Sequence, residues 1–230
     1  MSIALPKIDR SEVLRYLGYG DNAPDALVTA QLQEAEQIVE RLASPLAIYR
    51  LFGLERDHDT LRVSGTVLEL EGEAIRAHLM GADQCILLAA TLGMAVDQEL
   101  RRIQVRDMAL AAVLDATANA AIEQFCDSIQ QELAVLAASR GLCLTTRFSP
   151  GYGDLPLTLQ RPLCVVLDAG KIGVGVSDLY LLSPRKSVTA ILGLCREPVP
   201  NQPEACAVCT IAEHCNFRKA GTACGKSIDQ

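Results

Sequence analysis

An alanine-rich stretch over residues 94–140 reads as helix, with a break expected near 105–107. It constrains the fold more than any other feature of the chain. Small side chains let a helix approach its neighbours closely, so this segment predicts the central packed helix. One line along it is polar: Asp115, Asn119, Glu123 and Asp127 recur at every fourth position and share one helix face. Such a row either faces solvent or receives a cationic group.

Shorter elements flank it. Residues 9–18 predict a helix capped by Asp9 or Ser11. Residues 24–43 predict another, with Leu27, Leu32, Ala35, Ile38, Val39 and Leu42 at helical spacing. Residues 46–52 and 61–70 predict strands around a turn at 57–60, and 72–80 predict a helix. Residues 85–90 predict a buried strand, 143–147 a short strand and 148–156 a loop. Residues 163–167 fit a helix or a strand, with Pro162 tolerated only in a first helical turn. Residues 172–176 and 187–194 predict strands, joined by the basic turn Leu182-Ser183-Pro184-Arg185-Lys186. This mixture predicts an α+β or α/β architecture.

The chain has 230 residues, which suits one large domain with an appendage. Half of the residues are apolar, enough to bury a core. Lys plus Arg number 21 and Asp plus Glu 28, a formal net charge of −7 with no basic run. That balance argues against nucleic acid, whose binding depends on phosphate neutralisation. The N-terminal residues lack a signal-peptide pattern. The longest apolar uncharged stretch, about residues 85–96, is shorter than the roughly 20 residues a bilayer requires. These features predict a cytoplasmic protein with no membrane partner.

Beyond Arg196 the composition changes. Pro198, Pro200 and Pro203 form a linker, which divides the chain into 1–196 and 197–230. Nine cysteines in a reducing compartment do not read as a disulfide framework. Cys85, Cys126, Cys143, Cys164 and Cys195 stand singly among apolar residues and read as small buried hydrophobes. Cys206, Cys209, Cys215 and Cys224 follow the spacing C-x2-C-x5-C-x8-C. Four thiolates so close in sequence can complete a shell around zinc or an iron–sulfur cluster, and the spacing does not choose between them. Arg218 and Lys219 would offset the thiolate charge. His214 adjoins Cys215, and a ligand's neighbour usually points away. The tail could equally be a metal-stapled flap without a catalytic part.

One further segment carries chemistry: Arg147-Phe148-Ser149-Pro150-Gly151-Tyr152-Gly153-Asp154-Leu155-Pro156. An expected strand ends in an arginine, whose donor fork matches a carboxylate. Its glycines allow close backbone approach to a ligand. Taken alone it is a tight turn with a surface arginine.

The pattern R-x-x-P-G-Y at 147–152, after a long helix and before a helix and two strands joined by a Ser-Pro turn, resembles the activation domain of cobalamin-dependent methionine synthase. The likeness spans about residues 30–194, and the chain looks like a stand-alone form. It implies an α+β fold, an antiparallel or mixed sheet packed with long helices. It also implies binding of S-adenosylmethionine, for reductive methylation of cob(II)alamin held by a methionine synthase or related corrinoid protein. The electron would come from a donor such as flavodoxin or ferredoxin. By this resemblance Arg147 would pair with the methionyl carboxylate and Glu123 with the ammonium group. Phe148, Ser149, Pro150 and Gly151 would offer backbone contacts, and Tyr152 would lie at the sulfonium as the catalytic residue. The chain departs from the family at Gly153-Asp154-Leu155, where the longer motif reads Pro-x-Cys, and at Leu192, where longer enzymes carry tyrosine. The cysteine tail, absent from the fused enzymes, would carry an iron–sulfur cluster that delivers the electron. The alternative is a non-enzymatic docking module for another corrinoid methyltransferase, with a structural metal knuckle.

Overall fold

The structure is a computed structural model that describes residues 4–19, 22–57 and 60–197. The four tail cysteines and the 197–230 division lie outside or at the edge of the described residues.

Five strands form one antiparallel sheet: β1 (Leu46–Asp57), β2 (Thr60–Val63), β3 (Ala82–Thr91), β4 (Cys143–Leu144) and β7 (Ser187–Cys195), in the order β2-β1-β3-β7-β4. The short β5 (Gly175–Val176) and β6 (Leu182–Ser183) pair in a separate hairpin. The central strand β3 is almost continuously buried because both of its faces are covered. Ile86, Leu88 and Ala90 point into one core, and Cys85, Leu87 and Ala89 into the other. Helices α1 (Arg10–Tyr16), α2 (Ala26–Leu42), α4 (Met94–Gln104) and α5 (Met108–Ala138) fill the first. Helices α3 (Glu73–His78) and α6 (Gln160–Leu167) fill the second. The fold is therefore α+β, an antiparallel sheet packed against helices, as expected.

The long helix is the pivot. The expected break falls at Val105–Asp107, where Asp107 caps α5 by accepting from the Leu110 amide at 2.9 Å. Ala111, Ala116, Ala118, Ala120 and Ala121 are all buried, so α1, α2, α4 and the sheet close around a thin helix. Larger buried residues, among them Leu114, Phe125, Ile129 and Leu133, supply its apolar bulk. Among the described residues no helix is long and apolar enough to cross a membrane.

Two expected strands prove to be something else. The 61–70 segment is a tight reversal: β2 stops at Val63, Gly65 takes a left-handed φ of 71°, and the chain returns with Leu70 N–H donating to Leu61 O. In 172–176 a 3-10 turn, Ala169–Ile172, ends at left-handed Gly173, and only two residues join the hairpin. The ambiguous 163–167 segment is helical within α6, with Pro162 in its first turn.

Phe125 is fully buried between the helices and the sheet. Phe125→Ala should lower the unfolding free energy by about 3–5 kcal/mol, the usual cost of deleting a buried aromatic. Urea denaturation checks this, and a loss under 1 kcal/mol, roughly what a surface change costs, would contradict the packing described.

Candidate functional site

Arg147 reaches α5 because the sheet edge is irregular. Thr145 N–H donates to Gly193 O, while Phe148 exchanges two hydrogen bonds with Ile191. Three steps along this edge thus oppose two steps along β7, and the extra residue acts as a bulge. Regular alternation would put Thr145 and Arg147 on one face. Instead Thr145 and Phe148 face the α3 layer, and Arg147 turns to the α5 layer. The expected 143–147 strand is accordingly regular only over Cys143–Leu144.

The Arg147 guanidinium meets the polar line of α5. One nitrogen donates to Glu123 at 3.0 Å and Asp127 at 2.9 Å, and another to Gln130 at 3.1 Å. Burial opposes the charge on Arg147. The surrounding Cys126, Glu123 and Asp127 outweigh it, and its pKa lies above the usual arginine value. The Cys126 thiol is itself pushed up to about 12, chiefly by burial. On the α1 side, Tyr16 is also raised, first by burial and then by the negative charge of Glu123. The cluster is thus a partly desolvated cation between two carboxylates.

The loop after Arg147 is folded back on itself. Tyr152 N–H donates to Ser149 O, Gly151 N–H to Leu155 O, and Leu155 N–H to Tyr152 O. Gly151 sits at φ 92°, where glycine is favoured. Pro150 is buried, and the Phe148 and Tyr152 rings meet edge to face at 6.1 Å, which leaves Tyr152 exposed. Asp154 accepts from the Glu73 and Ala74 amides at the start of α3. A Cβ on Gly72 would collide with that carboxylate. The departure from the longer motif therefore has a structural use: Asp154 ties the loop to α3.

From the same layer, His78 holds the bulge. Its Nε2 lies 2.9 Å from Thr146 O and 3.0 Å from Thr145 Oγ1, and its ring packs on Phe148 at 5.0 Å. Thr145 Oγ1 in turn accepts from the Gly193 amide at 2.8 Å.

The other half of the polar line has its own cation. Lys186 Nζ donates to Asp115 Oδ1 at 2.8 Å and Asn119 Oδ1 at 2.7 Å, with its side chain only 4% exposed. So the line is neither a bare solvent face nor a single site. Arg147 takes Glu123 and Asp127, and Lys186 takes Asp115 and Asn119. Sequence reasoning treated Lys186 as part of a loop and did not single out His78 or Gln130. The available signal for Lys186 was a lysine at the very start of an apolar strand, opposite a helix with polar residues among alanines.

Of the expected site residues, Glu123, Arg147, Phe148, Ser149, Pro150, Gly151 and Tyr152 lie on one continuous loop and the facing turn of α5. The two clefts of about 720 and 590 Å³ lie elsewhere, along α1 and α2 and between α2 and α4. Neither is lined by Arg147, Glu123 or Tyr152. Cys206, Cys209, Cys215 and Cys224 lie outside the described residues. Among the described residues, no group of three or more His, Cys, Asp or Glu could hold a metal ion. The five described cysteines are free thiols, four of them buried and Cys143 half-buried.

The antiparallel sheet with its long central helix on one face is similar in fold to a solved reactivation domain. One solved structure with this likeness is the crystal structure of the MetH reactivation domain bound to AdoHcy. Its TM-score is 0.64, with 14% identity over 94% of this chain and 82% of that chain. No protein-family profile matches the sequence, and neither does any curated protein.

Burial lowers the His78 pKa below the ordinary histidine value, and its bond to Thr146 only partly offsets this. A depressed folded pKa means that the unfolded chain takes up the proton first. The stability His78 confers is therefore full above about pH 6.5 and falls as the pH drops through and below that value. His78→Gln should flatten the pH dependence of unfolding between about pH 7 and 5. Denaturant titrations across that range check it, and an unchanged slope would sink the assignment.

Proposed function

We propose that the chain binds S-adenosylmethionine through Arg147 and Glu123 and serves as the reactivation component of a cobalamin-dependent methionine synthase system. The observation that carries this reading is the Arg147–Glu123–Asp127 cluster beside the Ser149–Tyr152 turn. An amino-acid headgroup brings one carboxylate and one ammonium. Arg147 has the donor fork for the first, and Glu123 the charge for the second. The ion pair between them would be divided over the two ends of the ligand. Phe148, Ser149, Pro150 and Gly151 would supply backbone contacts and Tyr152 would flank the sulfonium. The structural neighbour holds AdoHcy, which carries the same headgroup.

When bound, S-adenosylmethionine supplies the methyl group for reductive methylation of cob(II)alamin, which would be carried by a corrinoid partner in the cytoplasm. The residues of this chain bind and orient the methyl donor. An electron donor such as flavodoxin or ferredoxin would complete the system. The tail cysteines Cys206, Cys209, Cys215 and Cys224 would hold an iron–sulfur cluster that relays the electron, or else a zinc ion.

Titration calorimetry should detect binding of S-adenosylmethionine and S-adenosylhomocysteine to the full chain. Arg147→Ala and Glu123→Ala should each weaken it by about 1–2 kcal/mol, roughly 5- to 30-fold, since each leaves a charged ligand group without its partner. No heat at millimolar ligand would overturn the reading.

Anaerobic purification tests the tail separately. Iron with visible absorption, lost on substituting the tail cysteines, is the expected result. Zinc without iron would leave the tail a structural knuckle and favour a docking module.

A further inference from the structure

Cys143 and Cys195 are direct partners in the antiparallel register of β4 and β7. Opposed residues in such a ladder have Cα atoms about 4.5–5.5 Å apart, with side chains on the same face. A disulfide needs Cα atoms within about 4.4–6.8 Å. Both residues are free thiols. Cys143 is half-buried and reachable, while Cys195 is 2% exposed, with its sulfur 3.9 Å from Met80 O. Neither belongs to the Arg147 cluster or to the tail.

We propose that Cys143 and Cys195 form a dithiol–disulfide exchange site that takes a small-molecule disulfide as its oxidant. Cys143, the more accessible partner, attacks one sulfur of the disulfide R–S–S–R, so a Cys143–SR bond forms and, taking up the proton that the Cys143 thiol gives up, the first thiol RSH leaves. The Cys195 sulfur then attacks Cys143 and expels the second RSH. Two cysteine thiols lose two hydrogens and two electrons, and one external disulfide is reduced to two thiols.

The order follows from the surroundings. Burial raises the Cys195 thiol, and the neighbouring Cys143 raises it further, against the opposing charge of Arg56. Cys195 is screened from an external disulfide by its burial, while Cys143 is reachable, so Cys195 acts second. In a reducing compartment the pair rests as the dithiol. Once oxidised it would staple β4 to β7, two residues before the bulge that delivers Arg147.

The site depends on no bound ligand, so its failure and the failure of the S-adenosylmethionine reading are separate results. The test treats the reduced full chain with oxidised glutathione, blocks residual thiols with an alkylating agent and digests with trypsin without reduction. Cleavage after Arg140, Arg147, Lys186 and Arg196 isolates residues 141–147 and 187–196, each with a single cysteine. The expected product is these two peptides joined, lighter than their sum by two hydrogens. It should exceed the glutathione adduct of residues 141–147 by about tenfold or more, since the second thiol is adjacent. Cys195→Ser should instead accumulate that adduct, and Cys143→Ser should leave Cys195 unmodified. A chain with all four tail cysteines changed to serine should give the same joined peptides. A lasting adduct at Cys143 in the unaltered chain, or a link from Cys143 to a tail cysteine, would overturn the proposal.

Discussion

A lysine and an arginine taken largely out of water need a row of acidic and amide groups to meet them. Helix α5 has such a row, and the architecture at the sheet edge is arranged around satisfying it. Lys186 enters at the start of β7 and takes Asp115 and Asn119. Arg147 enters from the other side of the same edge and takes Glu123, Asp127 and Gln130. The desolvated ammonium of Lys186 would be costly alone, and its pairing makes the junction of α5 and β7 specific as well as tolerable. The two cations divide the line: the Lys186 end is the more buried and the Arg147 end the more exposed.

The delivery of Arg147 rests on one extra residue in an edge strand. Without the irregularity between Thr145 and Phe148, the guanidinium would point into the α3 layer, where Leu79 and Ala82 already crowd Gly193. His78 and Thr145 lock that irregularity from behind, with the Gly193 amide bound to the threonine hydroxyl. Asp154 then fixes the far end of the loop to α3. Position and direction of the arginine thus come from the layer opposite the one it acts on. His78 is a positioning residue in this sense, since it contacts the loop and not the cluster.

What could be read in the sequence was what repeats locally. The long helix, its break, the two flanking helices and the central strands all show their periods within a dozen residues, and the structure agrees with them. The four-residue spacing of Asp115, Asn119, Glu123 and Asp127 was equally plain. Their partners were not, because Lys186 lies 71 residues from Asp115 and His78 lies 67 from Thr145. Pairings at that distance depend on strand order, which local pattern does not encode. The 61–70 and 172–176 segments failed for another reason. Gly65 and Gly173 each permit a left-handed reversal inside a run whose apolar alternation looks extended. Glu123 stood out in the four-residue spacing and Arg147 in its tight turn, and only the family likeness joined the two in one expected site.

The unequal burial of the cluster says which half can move. The Arg147 side chain is 16% exposed, against 42% for Glu123 and 50% for Asp127. The guanidinium is packed against the bulge and Gln130, whereas the carboxylates face water at their outer edges. An incoming carboxylate would therefore compete with Glu123 and Asp127 for a fixed guanidinium. On the proposed reading, the resting ion pair keeps Arg147 charged and aimed while the ligand is away, and costs little to open because its acidic half is already solvated. A preorganised arginine with mobile counter-charges suits a ligand that must be taken up and released in each cycle.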